Sequence, residues 1–205
     1  MKKEIFTFSL NDITEIAVLS AMAIVLDTFI KIPIGQTGGS INCSIVPVFI
    51  IALRHGPFKA FIAGGIIYGL VTCLIDGYGF QTYPLEYLVA FGSTCILGFF
   101  GAYIYRSFTS KNKGKIVISI LLTILSVALW GLIRWVAASI DSMLFYEVTF
   151  EGGLAYNAIY VLPTALADAI LVAVLLTPLS TIAKRHMTSY LKAYQERKED
   201  TTNSD

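Results

Sequence analysis

The sequence predicts an all-α, polytopic integral membrane protein, a bundle of six transmembrane helices, and three observations predict it. The first is composition: 56% of the 205 residues are hydrophobic, only 14% are charged, and the mean hydropathy is +0.71. A water-soluble fold of this size has no way to hide that much apolar surface. The second is a series of apolar runs long enough to cross a bilayer, and the third is the collection of Lys and Arg on one side of those runs. A net charge of +1 excludes nucleic acid as a partner, because binding to phosphates needs a concentrated basic face.

A span needs ~20 apolar residues to cross ~30 Å of hydrocarbon, and it must be helical because lipid offers the backbone no hydrogen-bond partner. The first run follows Lys2 and Lys3 and superficially resembles a signal peptide, but it is too long and no cleavage site precedes the mixed segment Lys31 to Gly39. It is read as the first span, Ile13 to Ile32. The others are Ile41 to Leu53, Phe58 to Ile75, Pro84 to Tyr105, Ile116 to Ser139 and Ala155 to Ile182. The second is short, so it is tilted, partly re-entrant or extended by the glycine-rich stretch Gly35 to Ser40. Residues 1–186 thus form one membrane domain, and 187–205 a polar tail too hydrophilic to pack against the bundle, with a disordered end.

With six spans, Lys2, Lys3, Arg54, Lys59, Arg106, Lys111, Lys113, Lys115, Lys184, Arg185, Lys192, Arg197 and Lys198 fall on one side, and only Lys31 and Arg134 do not. Cytoplasmic loops hold the excess of positive charge, so both termini are expected in the cytoplasm. The opposite side carries the acids Asp76, Asp141, Glu147 and Glu151.

Ionisable residues within or beside spans mark functional sites, because burying them in lipid is costly. Here they are Asp27, Glu86, Arg134 and Asp168. Glu86 opens the fourth span, where the helix dipole alone accounts for a carboxylate. Arg134, one turn after Trp130, is an ion-pair partner of Glu86, a snorkelling residue or a ligand contact. Asp27 and Lys31, four residues apart, read as a local ion pair. Tyr156, Tyr160, Thr164 and Asp168 recur every four residues and place four hydrogen-bonding groups on one helix face that looks into the bundle. Tyr78, Phe80, Tyr83, Phe145, Tyr146 and Phe150 crowd the outer connections, either as interfacial anchors or, with Glu86, as an aromatic and acidic cup for a flat cationic or amine-bearing ring. Gly35 to Ser40 joins two spans on that side and reads as a mobile lid or a plain connector.

Cys43, Cys73 and Cys95 lie in or beside apolar runs with no CxxC spacing, so neither a metal site nor a disulfide framework is indicated, and no cofactor is expected. No phosphate-binding GxxxxGK[ST] loop occurs, so active transport needs a partner or an ion gradient. An intramembrane enzyme would need a nucleophile and base at membrane depth, yet His55 and His186 both sit among basic residues and no HExxH or GxSxG motif appears. A channel or scaffold subunit has no need of an outer cup.

Three segments carry a resemblance. Thr14-Glu15-Ile16-Ala17 followed by Ala21, Gly38-Gly39-Ser40-Ile41-Asn42 leading through Val46-Pro47-Val48-Phe49-Ile50 to Leu53-Arg54-His55-Gly56, and Leu85-Glu86-Tyr87-Leu88-Val89-Ala90 are similar to the S components of energy-coupling factor transporters, and among them to the thiamine-specific branch. The resemblance implies a substrate-binding subunit of a bacterial cell membrane that captures a vitamin, thiamine first among them or else a related pyrimidine, for ATP-driven uptake. Its partners would be a transmembrane coupling subunit, docked on the Ala17xxxAla21 surface, and two ATPases. Glu86 and Tyr87 match the pair that contacts the aminopyrimidine, and Tyr156 matches a ligand tyrosine. Tyr83, Trp130, Arg134, Asn157 and Tyr160 complete the expected site. The chain departs from the family pattern where Arg134 stands for a histidine, Ser142 for an aromatic, Val161 for an asparagine and Gly38 for a tryptophan.

Overall fold

A computed structural model gives the fold and describes residues 8–34, 39–108, 110 and 112–202. It is helical except for one antiparallel hairpin, β1 (Lys31–Pro33) and β2 (Ser40–Asn42), with Ile32 opposite Ile41. Helix α1 (Leu10–Phe29) starts at a capping box: the Ser9 side chain accepts from the Asp12 N–H at 3.1 Å and the Asp12 carboxylate accepts from the Ser9 N–H at 3.4 Å.

Helix α2 (Val46–Phe61) continues through a π-helical stretch, Ile62–Tyr68, into α3 (Gly69–Asp76). It is not straight. Ser44 Oγ lies 2.7 Å from Tyr68 Oη, whereas a straight helix would hold residues so spaced about 36 Å apart. The chain doubles back at Gly56, whose φ of +82° an L side chain rarely adopts and which Pro57 follows. The two arms are the second and third spans of the sequence reading. The first arm is short, but Val48, Phe49, Ile51 and Ala52 have no exposed surface, so protein rather than lipid surrounds it.

A 3-10 turn (Phe80–Thr82), a second π-helical stretch (Tyr83–Val89), α4 (Ala90–Gly92) and α5 (Cys95–Phe108) form the next rod, which runs antiparallel to the second arm. Gly65 opposes Gly92 at one end and Gly98 meets Gly56 and Pro57 at the other, so the backbones touch. Helices α6 (Lys113–Phe145) and α7 (Phe150–Arg185) pair antiparallel, capped by Asn112 and Thr149. Four helical stretches, Val46–Asp76, Phe80–Phe108, Lys113–Phe145 and Phe150–Arg185, are long and apolar enough to cross a membrane. Large apolar side chains such as Leu125, Leu166 and Val174 are each about two-thirds exposed, an outward apolar surface that suits lipid. The chain is a multi-pass membrane protein.

One end of the bundle carries the β-hairpin and the other the chain termini. At the terminal end α8 (Ser189–Thr202) corrects the expectation of an unpacked tail. Lys59 Nζ, almost fully buried, donates to Asp12 at 2.9 Å and to Ser189 Oγ at 3.1 Å, and Ser189 Oγ donates in turn to Asp12. Thr188 bonds the Arg54 carbonyl, Tyr190 Oη donates to the Gly98 carbonyl at 2.9 Å, and Leu191 is buried. Averaged polarity hid the spacing of Tyr190, Leu191 and Tyr194, which gives the helix one packing face. Asn203 to Asp205, where the disordered end was placed, lie outside the described residues.

Candidate ligand-binding site

At the hairpin end the helices part around a cavity of about 650 Å³, within the ~300–1,000 Å³ range of small-molecule sites. Its walls come from α1, the hairpin, the 3-10 and π-helical stretches and the facing ends of α6 and α7.

The π-helical stretch carries Pro84 in its first turn, where the missing N–H costs nothing, and its widened turn sets Glu86 and Tyr87 into the cavity together. Tyr87 Oη donates to Asp76 at 3.0 Å, and Lys31 Nζ lies 3.6 Å from the other oxygen of the same carboxylate. Among the described residues Glu86 has no protein hydrogen bond, unlike Tyr87. From α7, Tyr156, Asn157 and Tyr160 line the opposite wall. Tyr160 Oη donates to Asn157 Oδ1 at 2.6 Å, and the Asn157 amide donates to Ser142 Oγ at 3.2 Å, so the polar atoms of this wall hold one another in place. The Tyr160 ring lies flat on Gly39, where a Cβ would come within 2.7 Å of it at a φ of +85°.

Arg134 is 6% exposed and lines the cavity from α6. Its guanidinium rests on two ring faces, 5.2 Å from the Phe91 centroid and 5.6 Å from that of Trp130. It makes no ion pair and no hydrogen bond to protein among the described residues, and its Nε is buried without a partner. Near the mouth, burial first and the neighbouring carboxylates second raise the phenols of Tyr78 and Tyr146 above their ordinary value, so both are neutral hydroxyls at physiological pH.

The profile of the family described as "Thiamine transporter protein (Thia_YuaJ)" matches residues 13–185, most of the chain. The chain belongs to this family. It is 32% identical over 176 residues to the thiamine transporter ThiT of Bacillus subtilis (strain 168), an alignment covering 78% of this chain and 88% of that one. Among solved structures, ThiT from Listeria monocytogenes superposes with a TM-score of 0.70 at 24% identity, covering 83% of this chain and 97% of that chain. The S component for biotin from an ECF-type ABC transporter does so at 0.58 and 18% identity, covering 88% and 97%. The fold is that of the S components, and the chain is a transport protein rather than an enzyme.

Within this family fold, six of the eight ligand residues expected from sequence meet in one cavity: Glu86, Tyr87, Arg134, Tyr156, Asn157 and Tyr160. Two do not line it. Tyr83 turns away from the cavity toward the second arm, stacked on Phe80 at 5.2 Å with its hydroxyl on the Gly65 carbonyl at 3.0 Å. Trp130 has no exposed surface, and its Nε1 donates to the Ala90 carbonyl at 2.8 Å, so it carries Arg134 from behind. Arg134 and Glu86 form no ion pair. Neither do Asp27 and Lys31: α1 ends before Lys31, which turns to Asp76, while Asp27 accepts from Asn42 at 2.9 Å and Ser44 at 3.4 Å. Tyr78 and Tyr146 join the cavity lining, but Phe80, Phe145 and Phe150 do not. Asn157 lines it where Val161 is buried behind. Asp168 is fully buried without a hydrogen-bond partner among the described residues.

Asp27, Asn42, Asp76, Asp141 and Ser142 are cavity residues that sequence reading did not place there. Asp76 and Asp141 are visible as acids beside outer connections, and only the packing turns them inward. Of the lid segment, Gly35 to Gly38 lie outside the described residues, while Gly39 and Ser40 line the cavity.

Proposed function

We propose that this chain is a thiamine-capturing S component of an ECF-type importer, with the cavity open to the outside and both termini in the cytoplasm. The observation that carries the reading is the unpaired Glu86 carboxylate beside Tyr87 in a cavity whose charged lining is four acids, Asp27, Asp76, Glu86 and Asp141, against Lys31 and Arg134. An acidic, ring-lined cavity suits a flat cation, and thiamine pairs a cationic thiazolium with an aminopyrimidine whose N–H groups need an acceptor such as Glu86. Tyr87, Tyr156 and Tyr160 supply ring faces. The family and the ThiT relative support the same ligand.

The chain contributes binding and access, and no bond is made or broken here. Delivery inward falls to a coupling membrane subunit and two ATPases. Ala17 and Ala21 are exposed on α1, flanked by the exposed Val18, Met22 and Val25, and this small-residue face is where the coupling subunit would dock. The bilayer is the remaining partner. Titrating thiamine into the purified chain and following the fluorescence of Trp130 and Trp135, with native mass spectrometry of the protein as isolated, tests the ligand. A saturable change and a retained mass of thiamine are expected. A retained mass of another vitamin or a pyrimidine, with no response to thiamine, would reject thiamine in favour of that compound.

A further inference from the structure

The unpaired charges in the cavity are sorted along its depth. Asp27 has Asn42 and Ser44, and Asp76 has Tyr87 and Lys31. The charged lining groups with neither a hydrogen bond nor an ion pair to protein among the described residues are Glu86, Asp141 and Arg134. Side chains on a helix lean toward its N-terminus, and the Arg134 guanidinium accordingly lies over Trp130, toward the terminal end. Asp141 stands seven residues further along α6 in the opposite direction, about 10 Å nearer the mouth. Phe91, beneath the guanidinium, lies five residues deeper than Glu86 on a rod that runs from mouth to floor. The cation is therefore at the floor and the free acids are above it.

A guanidinium that is 94% buried, carries five N–H donors and bonds to no protein group among the described residues is costly. The ring faces beneath it hold its plane but satisfy no donor. A planar fork of this kind matches an oxyanion. On the thiamine reading, on which this inference rests, the aminopyrimidine engages Glu86, the cationic ring follows it, and the two-carbon alcohol tail beyond that ring would extend toward Arg134. We propose that Arg134 reads an oxyanion on that tail, so the preferred ligand of this chain is the phosphate ester of thiamine rather than the parent alcohol. The neutral tail hydroxyl would satisfy one donor, whereas a phosphate accepts from both arms of the fork.

Isothermal titration of the purified full-length chain with thiamine and with thiamine monophosphate tests this. The unmodified chain should bind the ester at least ~tenfold more tightly. R134Q should bring the ratio of the two affinities to one or below, and R134K, which keeps the charge without the fork, should give an intermediate ratio. If R134Q does not fold, the ratios for the unmodified chain and R134K decide. Equal or weaker binding of the ester to the unmodified chain, or an unchanged ratio in R134Q, overturns the assignment while leaving thiamine capture standing. Binding of neither compound overturns both.

Discussion

Glu86→Gln keeps the shape of the side chain and removes its charge, and the structure gives the two consequences opposite signs. In the unliganded protein Glu86 makes no hydrogen bond to protein among the described residues, so its partly buried carboxylate has lost water without gaining a partner there. Removing that charge should raise stability by ~1 kcal/mol, which for a chain of this length is a rise in Tm of about 2–4 °C. With ligand bound, the same carboxylate accepts from the aminopyrimidine, and a hydrogen bond to a charged group contributes ~1.5–3 kcal/mol. Its loss should weaken thiamine binding roughly tenfold to a hundredfold. The assay is a pair of measurements on one preparation: thermal unfolding of the detergent-solubilised protein without ligand, and a fluorescence titration with thiamine. Affinities within about twofold of each other, or a Tm that falls on substitution, would refute the reasoning, because each would mean that Glu86 serves the fold rather than the ligand.

Replacing both Ala17 and Ala21 with Trp fills the small-residue face of α1, so ligand binding should survive while uptake by cells holding the whole transporter fails; normal uptake would remove α1 as the docking surface. Lys59→Met leaves Asp12 and Ser189 without their buried cation and should cost ~3–5 kcal/mol, read as a lower unfolding temperature and as early proteolysis after Arg185; an unchanged digestion pattern would mean that α8 is held without the lysine. Saturation with ligand should slow amide exchange across Gly35 to Ser40 if that segment closes over the site. Protection confined to the helices would make it a connector.

The fold was legible because lipid imposes a simple rule: every span must be apolar and helical, and the runs of this chain are unmistakable on both counts. The cavity lining was legible where a residue's type conflicts with its depth, as with Glu86 and Arg134, or where polar groups share a helix face, as with Tyr156 and Tyr160. The misreadings have a common cause in backbone that leaves the ideal helix. Asp27 and Lys31 pair on a helical wheel, but α1 stops before Lys31 and the hairpin carries the lysine away. Tyr83 and Glu86 share a wheel face too, but across a π-helical turn Tyr83 faces the second arm and Glu86 the cavity. Asp76 and Asp141 became site residues only through contacts between segments distant in sequence. For α8, counting charge over the whole tail concealed three apolar positions with a regular spacing.

The Asp12, Lys59 and Ser189 junction also joins the first part of the chain to be made to the last. Lys59 meets Asp12 across 47 residues, and this pair is available once the third span has left the ribosome, but Ser189 lies 177 residues beyond Asp12 and is among the last to emerge. Until then the buried lysine and aspartate face an unfinished bundle with two hydrogen bonds missing, one to each of them. A chain that stops short of α8 therefore holds all its apolar spans but leaves two buried charged groups half-satisfied at its base, so its last helix completes a junction that its first helix begins.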